Sequence, residues 1–130
     1  MKILVGFNGY FVSKDAVSLA LKHAKAFNAS VDIVTMLEKG HALHLDDMEK
    51  ADTALDEAKN AFDKLSIPCR TMVITNELSA GENLVTFARG HDIDMLIIGI
   101  KRRSKVSKTL LGSTAQYVIL NAPCPVLTIQ

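Results

Sequence analysis

Five short, nearly continuous apolar runs recur along the chain: Lys2–Phe7 (KILVGF), Val31–Leu37 (VDIVTML), Cys69–Ile74, Asp94–Ile98 (DMLII) and Val126–Ile129. Runs of this length without regular polar alternation suit strands covered on both faces, the environment of a parallel sheet. The intervals between them change period. After Asn8-Gly9 breaks the first run, Ala16, Val17, Leu19, Ala20, Ala24 and Phe27 recur at helical spacing, with Ser13 as N-cap and Lys14, Lys22 and Lys25 outward. Glu38 to His44 reads as a polar loop. Asp46 and Asp47 then open a second helix whose apolar face uses Met48, Ala51, Leu55, Ala58, Phe62 and Leu65, and Pro68 stops it. Gly81 to Ala88 and Thr114 to Asn121 predict two shorter helices, and Pro123 and Pro125 bracket the start of the last strand.

Strands alternating with helices through short loops call for an α/β fold: a single doubly wound five-stranded parallel sheet with helices on both faces and right-handed crossovers. The expected strand order is 3-2-1-4-5. In such sheets ligands bind outside the carboxyl ends of the strands where the winding reverses. Here that point lies between Phe7-Asn8-Gly9 and Ile98-Gly99-Ile100. At 130 residues, with 48% hydrophobic and 22% charged residues and no internal repeat or linker, residues 1–130 read as one domain.

Fifteen Lys and Arg against fourteen Asp and Glu leave a net charge of +1, so no global field draws the protein to nucleic acid or lipid. No apolar stretch approaches the roughly 20 residues of a membrane-spanning helix, and the N-terminus lacks the pattern of an export signal. The expectation is a cytoplasmic protein. Cys69 and Cys124 lie in apolar, strand-like stretches without metal-ligand spacing, and read as buried free thiols.

The densest local charge follows the fourth strand. Lys101, Arg102, Arg103, Lys105 and Lys108 place five cations in eight positions, between Gly99 and the small residues Gly112-Ser113-Thr114 that open a helix. Backbone N–H groups at a helix start attract anions, so a phosphate could meet backbone donors and side-chain cations together. A basic loop can also be a solvated surface. Its position at the switch point favours phosphate or nucleotide binding.

At this segment the sequence resembles the universal stress protein (UspA-like) family, whose nucleotide-binding members show Gly, two residues, Gly, nine residues, then Gly-Ser or Gly-Thr. Gly99, Gly112 and Ser113 match that spacing, while Arg102 stands at the second glycine. The opening KILVGFNG, the stretch DMLIIG and the ending NAPCPVLTI extend the resemblance over essentially the whole chain. The resemblance implies an adenine nucleotide alpha hydrolase-like fold that binds ATP or a related adenine nucleotide, with Mg²⁺, to modulate a stress response. Gly99, Gly112, Ser113 and Thr114 would hold phosphates and ribose beyond Ile98, and Met36 would line the adenine side. Where ATP-binding members carry an Asp followed two residues later by a Ser, this chain has Asn8 and Tyr10. Asn8 keeps hydrogen-bonding capacity but no charge. Arg102 either blocks the site, turns outward, or sets a guanidinium on a phosphate. The resemblance also implies a homodimer through Val126–Ile129, consistent with an apolar strand at a sheet edge.

Two alternatives stay open: a family member that acts through protein partners or another anion, and a slow ATPase or phosphatase. The chain shows neither G-x-S-x-G nor G-x-x-x-x-G-K-[ST], so no catalytic residue is assigned. Self-phosphorylation at Ser113 is implied only by the resemblance. His41 and His44, three apart beside Asp46 and Asp47, could align like metal ligands, but a polar loop before the helix explains them more simply, and no metal site is assigned. No aromatic stacking platform accompanies the basic run, so no nucleic-acid role is expected.

Overall fold

A computed structural model describes residues 1–9, 12–37, 44–100 and 112–130. The apolar runs form β1 (Lys2–Asn8), β2 (Ser30–Met36), β3 (Cys69–Ile74), β4 (Met95–Gly99) and β5 (Val126–Ile129), all in one parallel sheet of order β3-β2-β1-β4-β5. The helical periods form α1 (Lys14–Phe27), α2 (Leu45–Asp63), α3 (Ala80–Gly90) and α4 (Ser113–Asn121). The expected topology is therefore the observed one. β1 is central, with Gly6 registered against Val34 of β2 on one side and Ile98 of β4 on the other.

Alternate residues of the strands feed two separate cores, as a side-chain period of two requires. Ile3, Val5, Phe7 and Ile33 pack on Ala20 of α1 and Phe62 of α2. Leu4, Val34, Leu96 and Ile98 pack on Leu84 of α3 and Val118 of α4. Helices α1 and α2 thus cover one face, and α3 and α4 the other. The helix starts follow local chemistry: Ser13 Oγ accepts from the Ala16 amide at 3.2 Å, and Ser79 Oγ from the Glu82 amide at 3.2 Å.

Three expectations about the core fail at its margins. Phe27 and Leu65 are 53% and 43% exposed. Phe27 is the last residue of α1, where little sheet remains beneath it, and α2 ends at Asp63, so Leu65 no longer shares the face of Phe62. Cys69 is buried, and burial pushes its thiol up to about 11; Cys124 is free but only half-buried. Cys124 precedes β5, which has a neighbouring strand on one side only.

One polar side chain breaks the apolar pattern of β2. Asp32, 8% exposed, receives a two-pronged ion pair from its register partner Arg70 on the edge strand, with Nε and a terminal nitrogen each 2.9 Å from a carboxylate oxygen. Fork-to-fork geometry satisfies both oxygens, and Arg70 keeps its own outer surface in water.

Gly6 is the closest approach between sheet and helix. A Cβ there would stand 2.6 Å from Leu84 Cδ2 and 3.2 Å from Leu84 Cγ. Leu84 is 1% exposed, so its side chain has no free room to retreat into. Gly6→Ala is expected to destabilise the protein by about 1–3 kcal/mol, read as a lower urea midpoint with an unchanged slope.

Candidate functional site

Winding reverses between β1 and β4: α1, which follows β1, packs on one face of the sheet, and α4, which follows β4, packs on the other. After Asn8 the chain turns at Gly9, whose φ of +79° is the left-handed conformation that glycine adopts without strain. The turn is tied to the neighbouring strand end: the Gly9 amide donates to the Met36 carbonyl at 2.8 Å, and the Thr35 hydroxyl donates to the Gly9 carbonyl. On the other side the Ile100 amide donates to the Ile129 carbonyl at 2.7 Å, which extends the β4–β5 pairing past Gly99. The strand ends are therefore fixed by backbone bonds.

Between them lies a cleft of about 660 Å³. Asn8, Met36, Ile98, Gly99, Gly112, Ser113 and Thr114 all line it. Seven of the eight residues expected from sequence are thus brought together. The eighth, Arg102, lies outside the described residues, as do Tyr10, His41 and the rest of the basic run. Met36 and Ile98 are buried, at 4% and 3% exposure, and with Leu84 supply an apolar floor. Asn8, Gly99 and Ser113 are exposed at the rim.

The wall opposite β1 is the start of α4. Gly112 is its N-cap, with φ −70° and ψ 167°, and no side chain caps the helix. The first-turn amides of a helix have no partner within it. α1, α2 and α3 each place an acidic residue in the first turn, Asp15, Asp46 with Asp47, and Glu82, whereas α4 has none. The helix end facing the cleft thus lacks the counter-charge that the other three carry, and favours an anion.

The universal stress protein family matches residues 1–130. The chain belongs to this family. A universal stress protein of Methanocaldococcus jannaschii is 26% identical over 140 residues, which cover 99% of this chain and 81% of that protein. One from Mycolicibacterium smegmatis is 43% identical over 53 residues, 41% of each chain. Among solved structures, a universal stress protein from Archaeoglobus fulgidus superposes with a TM-score of 0.84 at 27% identity, covering 100% of this chain and 98% of that one. The structure of the Archaeoglobus fulgidus protein in complex with dAMP gives a TM-score of 0.80 at 25% identity, with the same coverage.

Sequence reading of this family member missed Ser13, Asp15 and Leu84 as lining residues. Ser13 and Asp15 carried a signal, because a short loop after β1 must return the start of α1 close to the strand end that opens the cleft. Leu84 carried a weaker one: a glycine within a buried strand marks a place where another element comes near. His23, His44 and His91 are not among the lining residues. The Leu19 carbonyl accepts from His23 Nδ1 at 3.0 Å, His44 is the N-cap of α2, and His91 stacks on Phe87 at 3.8 Å between ring centroids.

Gly99 lines the cleft without being required by packing. A Cβ there would meet Ser13 Cβ at 3.4 Å and the Ile129 carbonyl at 3.9 Å, ordinary contact distances. Gly99→Ala is therefore expected to fold with stability within about 1 kcal/mol of wild type, measured by chemical denaturation.

Proposed function

We propose that this chain binds an adenine nucleotide in the cleft between β1 and β4, as a ligand that shifts conformation or partner choice in a stress response. The observation that carries the reading is the start of α4, which has no side-chain cap and no first-turn acid and whose residues Gly112 to Ala115 line a cleft with an apolar floor. A volume of about 660 Å³ lies within the range of ligand pockets. The dAMP complex of the Archaeoglobus fulgidus relative supports the same ligand class. Phosphate then sits at Ser113 and Thr114, and the base lies toward Met36, with Asn8 and Gly99 between them. Arg102 adds a cation where the family carries glycine.

Titration calorimetry with dAMP, AMP and ATP tests this reading, and two variants of one residue locate the phosphate. Ser113 is the first residue of α4, a position where proline is well tolerated, and the extended Gly112 suits a following proline. Ser113→Ala removes only the hydroxyl, whereas Ser113→Pro also removes the amide. Each lost contact to a charged phosphate is expected to weaken binding about tenfold, with the proline variant weaker than the alanine one. Equal affinity in all three proteins would place the phosphate elsewhere.

The same reading includes a cytoplasmic homodimer formed through β5. The Pro125 and Ile129 carbonyls accept from β4-side amides, so by alternation Val126 and Thr128 turn their backbone groups to the open edge. Leu120, 81% exposed, and Ile119, 43% exposed, add apolar surface on the helix that precedes this strand. Thr128→Pro removes an outward amide and leaves the β4 bonds in place. Sedimentation is expected to show dimer for the wild type and monomer for the variant.

A further inference from the structure

Residues 109–130 contain no Asp, Glu, Lys, Arg or His, against 22% charged residues in the chain as a whole. That stretch includes α4 and β5, so one helix and one edge strand lack the charges with which exposed sheet edges are normally guarded. The opposite edge, β3, carries Arg70. Proline does not guard β5 either. Pro125 turns toward β4, where its carbonyl accepts from the Leu96 amide at 3.0 Å, and leaves Val126 and Thr128 facing outward by alternation. Beside this edge α4 presents Leu120 and Ile119, both exposed.

The same unit walls the candidate cleft at both of its ends. Gly112 to Ala115, at the start of α4, line it, and so do Ile129 and Gln130 at the end of β5. Register joins these walls to the rest of the cleft: Ile129 stands against Gly99, and its carbonyl accepts from the Ile100 amide at 2.7 Å. The unit is also lightly anchored. α4 buries Ala115 and Val118 and β5 buries no residue fully, whereas each of the other helices buries four or more. Segments with few buried apolar contacts open most readily. A ligand in the cleft and a partner on the edge therefore order the same unit from its two sides.

The occupant that fits this edge is a second copy of the chain. An uncharged strand meets its own copy without like-charge repulsion, and an antiparallel two-fold pairing sets Val126 opposite Thr128 of the second copy. Each such pair exchanges both of its backbone hydrogen bonds, so the outward groups of both residues are satisfied. The two-fold then lies at Leu127, and the second copy backs the cleft wall at Ile129. We propose, on the basis of the nucleotide-binding and dimer readings above, that the nucleotide and the second copy are coupled ligands of the α4–β5 unit. Each tightens the binding of the other, because whichever binds second finds the unit already ordered. Nucleotide thereby sets the assembly state, and assembly sets nucleotide affinity.

The experiment titrates wild type with dAMP at protein concentrations above and below its dimerisation midpoint, and sediments it over a dilution series with and without dAMP. Dimer is expected to bind dAMP about fivefold more tightly than monomer. Saturating dAMP is then expected to tighten dimerisation by the square of that factor, roughly 25-fold, since each dimer holds two clefts. Thr128→Pro and Leu120→Lys alter residues that do not line the cleft. Both variants are expected to be monomeric and to show the weaker monomer affinity in equal measure, with thermal melts confirming that they fold. Equal dAMP affinity in monomer and dimer overturns the inference and leaves the nucleotide site intact, as does dimerisation that dAMP leaves unchanged or weakens. Weaker binding in Thr128→Pro alone also overturns it, since that result assigns the loss to a distorted β5. A wild type that binds dAMP and stays monomeric throughout refutes the dimer reading and this inference. Failure of the wild type to bind dAMP refutes the proposed function, and this inference with it.

Discussion

The parallel pairing of β1 with β4 is the constraint on which the rest depends. Both strands are covered on both faces, so neither can slip by a residue without exchanging its Leu4 and Ile98 core for its Ile3 and Ile97 core. That register sets Gly6 beside Ile98 and leaves the two strand ends side by side. The loop from β1 then leads to α1 on one face, and the chain beyond β4 returns to α4 on the other. A cleft at the two strand ends, between the starts of α1 and α4, follows from the winding alone. Its floor depends on Gly6, because a larger residue would displace Leu84, which shapes the cleft from below.

The ion pair at Asp32 shows how the same sheet accommodates charge. A carboxylate in the second strand from the edge would be costly if stranded, since burial disfavours the ionised form. The register places Arg70 directly beside it, on a strand with an open side from which the guanidinium reaches solvent. An exposed partner of this kind contributes little on its own. Its effect is to let an acidic residue stand in an otherwise apolar strand, so that VDIVTM pairs in one register only.

Element order, sheet order and switch point were legible in the sequence because each strand is a short apolar run and each helix has a distinct period. Six residues of the candidate cleft, Asn8, Ile98, Gly99, Gly112, Ser113 and Thr114, were legible because they sit at strand ends or at a helix start, where chain position and spatial position coincide, whereas Met36 came from the family resemblance. What escaped depends on distances between elements. The i, i+3, i+4 pattern continues through Phe27 and Leu65, although one stands at the last turn of its helix and the other beyond it, so periodicity overstates the core by about one turn. Leu84 reaches the cleft only because α3 lies close over Gly6. Asp15 reads in sequence as an ordinary first-turn acid, and its place in the cleft emerges from the packing of α1. The basic run, prominent in the sequence, lies outside the described residues; among the described residues the start of α4 is the feature that favours an anion.

That character is built into α4 itself. Ala115 is buried against the sheet, at 7% exposure, so a charged side chain has no room at the third helical position. Ser113 is exposed and could be Asp or Glu without a packing penalty. An acidic residue there would add about 0.3–1 kcal/mol of helix stability and would also repel any phosphate. On the proposed reading that stabilisation is supplied from outside, because a bound anion would satisfy the same amides and the same dipole. Ligand affinity and α4 stability would then be two expressions of one interaction, and a ligand bound at Ser113 would also hold the last helix against the sheet.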